Sequence, residues 1–410
     1  MPFAGLVSAN GFFLEFFGKV LHYAEYFCII RNYRKDIGDW IGDGGMEAYF
    51  LAALQRAGGL GSVQLQRLLR VFPSGEEIWR APVNELASAG VLSEKRIASL
   101  EALRHSRPDY PEQLAELCER KGIRVCSILE KEYPSFLKEI FDPPVAFFYR
   151  GQMPEEDALL LAMVGSRRFS RYGEQVTLDF AEKLAASGVI VVSGAARGID
   201  TCAHMGALKT GRTIAVLGCG VDVAYPSENR SLLQQIAEHG AVISEYEPGT
   251  QPLPAFFPAR NRIISGLSRG TVVVEAARRS GSLITAELAL NEGRDVFAVP
   301  GSIFSDTSQG CHHLIQQGAK LVTSASDILV EYGKSEGKRK KVRKEPKLNP
   351  EEAAVYSVLS YEHPLSVDEI IYSLKGNGDA SSIAFLLLQM ELKGLVVENK
   401  SHAYLRAERE

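Results

Sequence analysis

The spacing of apolar positions changes along the chain and divides it. From Met46 to about Leu117 apolar residues recur at helical intervals, with Leu51, Leu54, Leu65, Leu68 and Leu69 on the repeating face. Two stretches there, Ala57-Gly-Gly-Leu-Gly-Ser-Val63 and Leu86-Ala-Ser-Ala-Gly-Val-Leu-Ser93, read as helix, glycine turn, helix, with Ser93 placed to cap the next helix. From about Arg120 to Gly333 short runs rich in Val, Ile and Leu alternate with helical stretches. The runs are Ala158–Val164, Val189–Val192, Thr213–Leu217, Ala241–Ser244, Thr271–Val274 and Asp295–Val299. Strands apolar at every position are buried on both faces, which predicts a parallel sheet with helices on either side. The fold class is therefore α/β, a Rossmann-like doubly wound parallel sheet. In such sheets ligands lie beyond the carboxyl ends of the strands. The last sixty residues show helical patterns at Pro350–Leu359, Val367–Leu374 and Ser381–Leu392, then short strands at Leu395–Glu398 and Ala403–Leu405. That order predicts a winged helix whose third helix would be the one to enter DNA.

The predicted organisation is an extension over 1–45, a small helical domain over 46–119 and the Rossmann-like domain over 120–333. A basic linker over 334–349 and the winged helix over 350–410 follow. Residues 1–45 read either as a non-domain extension from an upstream start or as an accessory helix. The helical domain reads either as helix-hairpin-helix (SAM-like) units, whose amides can hold a phosphate, or as a plain bundle with glycine caps.

Charge refines this picture. The 410 residues carry 46 Lys+Arg against 50 Asp+Glu, a net −4, so no global positive field points to nucleic acid and any such binding must be local. Lys334 to Lys347 holds eight basic residues against two acidic ones, the composition of a solvated linker that could also touch nucleic acid. Residues 350–410 hold five basic and ten acidic residues, so the winged helix is expected to contact protein rather than DNA.

Several classes are excluded or disfavoured. The six cysteines have no C-x-x-C spacing, no disulfide framework is expected, and buried thiols in a reducing cytoplasm are the simple reading. His312-His313 is the one adjacent histidine pair, and neighbours on one turn do not converge on a metal. Gly11 to Ile30 carries Glu15, Lys19 and Glu25, so no membrane span is predicted. Neither a Walker A loop nor a G-x-G-x-x-G fingerprint occurs, so no nucleotide cofactor is called for.

Candidate chemistry gathers after the strands. Val164-Gly-Ser-Arg-Arg168, with Arg171 behind it, and Ser193-Gly-Ala-Ala-Arg-Gly-Ile-Asp200 are glycine turns entering helices, where amides and arginines can hold phosphate. Phe256-Phe-Pro-Ala-Arg-Asn-Arg-Ile-Ile-Ser265 sets Arg260 and Arg262 around Asn261 near a helix start. Cations oppose the helix dipole there, and an anion between them would resolve the conflict. Ser280-Gly-Ser282 opens a further helix. No nucleophile elbow or paired-carboxylate spacing stands out. Glu275 is the best carboxylate for acid–base work, a hydrogen-bonding role being its simpler use.

These motifs resemble the DNA-processing protein A family (DprA, also called Smf). The resemblance rests on Val164-Gly-Ser-Arg167, Ser193-Gly-x-Ala-x-Gly-Ile-Asp200 with Ala203-His204, Phe257-Pro-x-Arg-Asn-Arg-Ile-Ile264 and Ser280-Gly-Ser-Leu-Ile-Thr285. Tyr133-Pro134, Asp142-Pro-Pro144 and Tyr149-Arg-Gly151 match the family's lead-in, so residues 125–333 are covered densely. The resemblance implies a non-enzymatic, cytoplasmic homodimer that binds single-stranded DNA without sequence preference and loads the recombinase RecA during natural transformation. It further implies a pocket of Gly165, Ser166, Arg167, Gly194, Arg212, Arg260, Asn261 and Arg262, with Arg168, Arg197 and Ser282 as further contributors. Gly310-Cys-His-His-Leu-Ile315 departs from the family's more usual Gly-x-Asn and leaves His312 open as a contributor. The residues alone equally allow a nucleotide-processing enzyme of the lysine-decarboxylase-like, phosphoribohydrolase type. That class requires Pro-Gly-Gly-x-Gly-Thr, and Ser268-Arg-Gly-Thr271 ahead of Glu275 lacks it.

Overall fold

The computed structural model describes residues 45–56, 60–335, 348–360, 364–374, 379–399 and 402–407. Nearly all of the 1–45 extension, residues 57–59 of the first glycine turn and most of the basic linker lie outside the described residues; the rest of that turn leads into the Ser62–Leu68 helix with Gly61 at its N-cap. The chain divides into two compact units, one up to Gly337 and one from Lys338.

The first unit is built on a nine-stranded sheet. Its strands are β1 (Arg124–Ser127), β2 (Ala146–Gly151), β3 (Leu159–Val164), β4 (Val189–Ser193), β5 (Thr213–Leu217), β6 (Ala241–Ser244), β7 (Gly270–Val273), β8 (Asp295–Ala298) and β9 (Lys320–Leu321). Their spatial order is β1-β2-β6-β5-β4-β3-β7-β8-β9. From β6 to β9 every pairing is parallel, whereas β1 with β2 and β2 with β6 pair antiparallel. All six strands expected from the apolar runs are present, and β3 to β6 are buried at every position. The antiparallel hairpin was not anticipated. It carries the Tyr149-Arg-Gly151 motif, and Phe147 and Phe148 on it are fully buried.

The order of strands reverses between β3 and its neighbours β4 and β7, which is where a doubly wound sheet opens a crevice at its carboxyl edge. Helices Arg171–Ala186 and Ile199–Leu208 pack on each other and on β4 along one face, while Phe256–Leu267 and Gly281–Asn291 pack together. Ahead of the sheet, helices at Glu47–Arg56, Ser62–Leu68, Gly75–Arg80, Val83–Ser88, Glu94–Ser106 and Tyr110–Arg120 bury Leu51, Leu54, Leu65 and Leu68. Ser93 occupies the N-cap position of its helix, but its hydroxyl makes no capping bond.

The second unit holds helices Pro350–Val358, Val367–Ser373 and Ala380–Leu392 and a small antiparallel sheet of Leu365–Ser366, Val396–Glu398 and Ala403–Arg406. Val355, Ile370, Leu387 and Met390 form its core. Among the described residues no helix is long and apolar enough to cross a membrane.

Candidate nucleic-acid interface

Three of the loops that leave the carboxyl edge are held together by one carboxylate. Glu275, 2 % exposed at the end of β7, accepts from the Ser170 amide at 2.8 Å, the Ser170 hydroxyl at 2.6 Å and the Thr307 hydroxyl at 3.0 Å. Its own carbonyl accepts from the Ser166 amide at 2.7 Å. Ser170 in turn caps the Arg171–Ala186 helix by accepting from Gly173 N–H. An acid therefore already sits at this positive helix end. Glu275 thus has the hydrogen-bonding role, and with its oxygens engaged it is poorly placed as an acid–base group.

The first glycine loop is closed on itself. The Ser166 hydroxyl donates to Arg168 O at 2.6 Å and accepts from the Arg168 amide at 3.0 Å, and Ser166 O accepts from Ile199 N–H. The amides expected to hold phosphate are largely spent on this turn. What the loop offers instead is side chains: Arg167 and Arg168 are exposed. The Arg167 guanidinium lies 5.8 Å from the centre of the Phe257 ring, and Tyr225 packs against the same ring at 5.3 Å. Tyr225 is 42 % exposed. Behind them Tyr246 and Phe256 stack at 4.1 Å. The result is a cation beside accessible ring faces, a combination that suits phosphates and unstacked bases together.

The second loop presses against the first. Gly198 has φ +90°, and a Cβ there would collide with the backbone of Ser166 and Arg167, so only glycine permits the approach. Gly194 serves a different neighbour. A Cβ on it would come within 2.5 Å of the Arg260 guanidinium and 2.7 Å of the Asp200 carboxylate. Arg197, on this loop's rim, is exposed but paired with Glu228.

Arg262 and Arg212 stand apart from the expected pocket, whereas Arg260 lies at it but buried against the Gly194 loop. Arg260 is 4 % exposed, and its Nη1 donates to the carbonyls of Gly194, at 2.8 Å, and Val216. Burial pushes the Asp200 carboxyl above its ordinary range, and the Arg260 charge opposes that rise. Arg262 turns the other way, reaching Glu245 at 2.6 Å and Asp142 at 3.3 Å. Protein carbonyls thus take up the charge of Arg260 and carboxylates that of Arg262. Arg212 precedes β5 and so lies at the amino edge of the sheet, opposite the loops. There it holds Glu155 and the carbonyls of Gln152 and Met153. Asn261 reaches the Gly281 carbonyl at 3.5 Å, and Ser282 is buried with its hydroxyl on Ser280. A ring nitrogen of His312 faces the Gly301 carbonyl at 3.0 Å. The geometry gathers Gly165, Ser166, Arg167, Arg168, Gly194 and Arg197 at one edge. It adds Tyr225 and Phe257, which sequence reasoning gave no role although Phe257 stood inside a quoted motif.

The described cysteines are all buried, and burial raises their thiols, that of Cys202 to about 11, so none is a ready nucleophile. Among the described residues no three His, Cys, Asp or Glu side chains gather as a metal site would require.

Comparison with known proteins places this architecture. The family model for DNA recombination-mediator protein A matches residues 124–333. A DNA processing protein DprA of Streptococcus pneumoniae is 54 % identical over 207 residues, half of this chain and 73 % of that protein. Protein Smf of Synechocystis is 34 % identical over 88 % of this chain and 98 % of its own length. The solved structure of DNA processing protein A from Streptococcus pneumoniae superposes with a TM-score of 0.59 at 42 % identity, covering 69 % of this chain and 97 % of that one. A glycine-looped, Arg167-bearing carboxyl edge that falls wholly inside the matched segment, and a relative matched along almost its full length, show that the chain belongs to the DNA recombination-mediator protein A family, whose members include DprA and Smf.

Proposed function

We propose that the carboxyl edge of the sheet binds single-stranded DNA without reading its sequence. The observation that carries this reading is Arg167, exposed and free of any carboxylate partner among the described residues, beside the rings of Phe257 and Tyr225. Phosphate attraction and ring stacking are both indifferent to base identity. The name DNA processing protein, carried by the relatives, supports a role in handling incoming DNA. With Glu275 committed to holding loops, the nucleotide-processing enzyme loses its best carboxylate. We therefore read the chain as a binder rather than a catalyst, in keeping with loading of RecA onto the bound strand during natural transformation. Leu321 on the edge strand β9 and Leu290 on the helix packed against β7 and β8, 46 % and 49 % exposed, supply apolar surface for the homodimer that this role uses. The acidic second unit, read as a winged helix, then serves as a protein-contact module.

The test is a gel-shift comparison of single strand with duplex, for wild type and Arg167→Ala. The substitution should weaken single-strand binding equally for every sequence and reduce the salt slope by about 0.7. Unchanged affinity and slope remove Arg167 from the interface. Release of free base from nucleoside monophosphates would restore the enzyme reading.

A further inference from the structure

The loops after β3, β7 and β8 carry cations and rings that the Arg167 site leaves unused. Glu275 fixes all three, as described above, and two further bonds brace them. Ala276 N–H donates to Thr307 O at 2.7 Å, and the Tyr172 hydroxyl donates to Pro300 O at 2.8 Å. On this braced edge Phe304 is 92 % exposed and Ile303 74 %. Ile303 and Phe304 together make an exposed apolar tip between two braced points, Pro300 and Thr307. On the neighbouring loops joined to it by these bonds, and at the start of the Arg171–Ala186 helix, Arg168, Arg171, Arg278 and Arg279 are exposed, and among the described residues none pairs with a carboxylate. The exposed acid on these loops, Asp306, accepts from Gln309. β3 and β7 are neighbours at the reversal of strand order, so Arg278 and Arg279 flank the crevice where such sheets take ligands. Arg168 follows Arg167 directly, which makes the cluster continuous with the site already described.

We infer that these loops form a second stacking subsite for the same DNA strand. Nucleotides flanking those at Arg167 set their phosphates on Arg278 and Arg279 and a base on Phe304. This rests on the strand-binding reading proposed above and gives it a direction, from β4 and β5 across β3 toward β7 and β8.

The full-length protein is titrated with oligothymidylates of about 4 and about 10 nucleotides, lengths that fill one subsite or both. Phe304→Ala should weaken the longer strand about tenfold, the loss of one stacked base, and leave the shorter one unchanged. Arg278→Ala with Arg279→Ala should lower the salt slope by about 1.4 for the longer strand only. Because Phe304 is exposed, thermal melting should match wild type. Equal binding of both lengths by Phe304→Ala and wild type overturns the subsite and leaves the Arg167 reading intact. A changed sedimentation coefficient of DNA-free Phe304→Ala, with unchanged affinity, assigns the ring to a contact between copies and also overturns it. If wild type binds neither oligonucleotide, the strand-binding reading itself falls.

Discussion

Arg260 separates two accounts of one motif. As a phosphate ligand, its loss would weaken strand binding and spare the fold; as a buried brace, its loss would spare nothing built on the Gly194 loop. The structure favours the brace. Arg260→Ala strips the donor from the Gly194 and Val216 carbonyls, and each buried acceptor left unpaired costs about 1–3 kcal/mol. It also removes the positive charge that opposes the burial of Asp200, and breaking a buried charge pair costs about 3–5 kcal/mol. These costs overlap, because Asp200 can escape part of its own by taking up a proton, so about 4 kcal/mol is expected in all. At about 2–4 °C per kcal/mol for larger domains, the melting temperature should fall by about 8–16 °C. The deficit has a pH signature. The folded-state pKa of Asp200 is already raised by burial and rises further without Arg260, so the variant should lose stability relative to wild type as pH climbs above the ordinary aspartate range. Adding Asp200→Asn should recover part of the loss. Calorimetry across pH, paired with strand affinity, decides the matter. A variant that melts within about 2 °C of wild type yet binds DNA poorly would refute the brace and return Arg260 to the ligand set.

Two further expectations concern groups away from the interface. Arg212→Ala should leave single-strand affinity and its salt slope unchanged, since the side chain lies at the amino edge on Glu155; a slope reduced by about 0.7 would place it on the strand after all. Glu292 is raised to about 7 by burial, and its Oε2 is buried without a partner. Its folded-state pKa stands above the unfolded value, so wild type loses stability as pH rises from about 4.5 to about 7. Glu292→Gln should remove that loss, gaining about 1–2 kcal/mol at pH 8 once solvent screening is allowed for, and nothing at pH 4. Parallel stability curves for the two proteins between pH 4 and pH 8 would show that the carboxyl is not strained.

Much of this protein is local information. Strands buried on both faces are largely apolar, so β3 to β7 announce themselves as short apolar runs, as does β8 after its exposed Asp295, and glycines mark loops where backbones meet. Gly198 is legible for that reason: no other residue fits its φ and its contact with the Ser166 loop. The β1–β2 hairpin was hidden because its pairing onto β6 is antiparallel and distant in sequence, and nothing in four to six residues states a partner. The directions of the arginines were hidden for the same physical reason. A guanidinium on a flexible stem goes where its carbonyls and carboxylates are. Those of Arg262 lie on Asp142 and Glu245, and those of Arg260 on Gly194 and Val216, all on other elements. The sequence by itself determined which loops face the ligand edge. Only the tertiary structure decided that Arg167 looks outward while Arg260 and Arg262 look inward, because burial of a charge is settled by partners that only folding brings near.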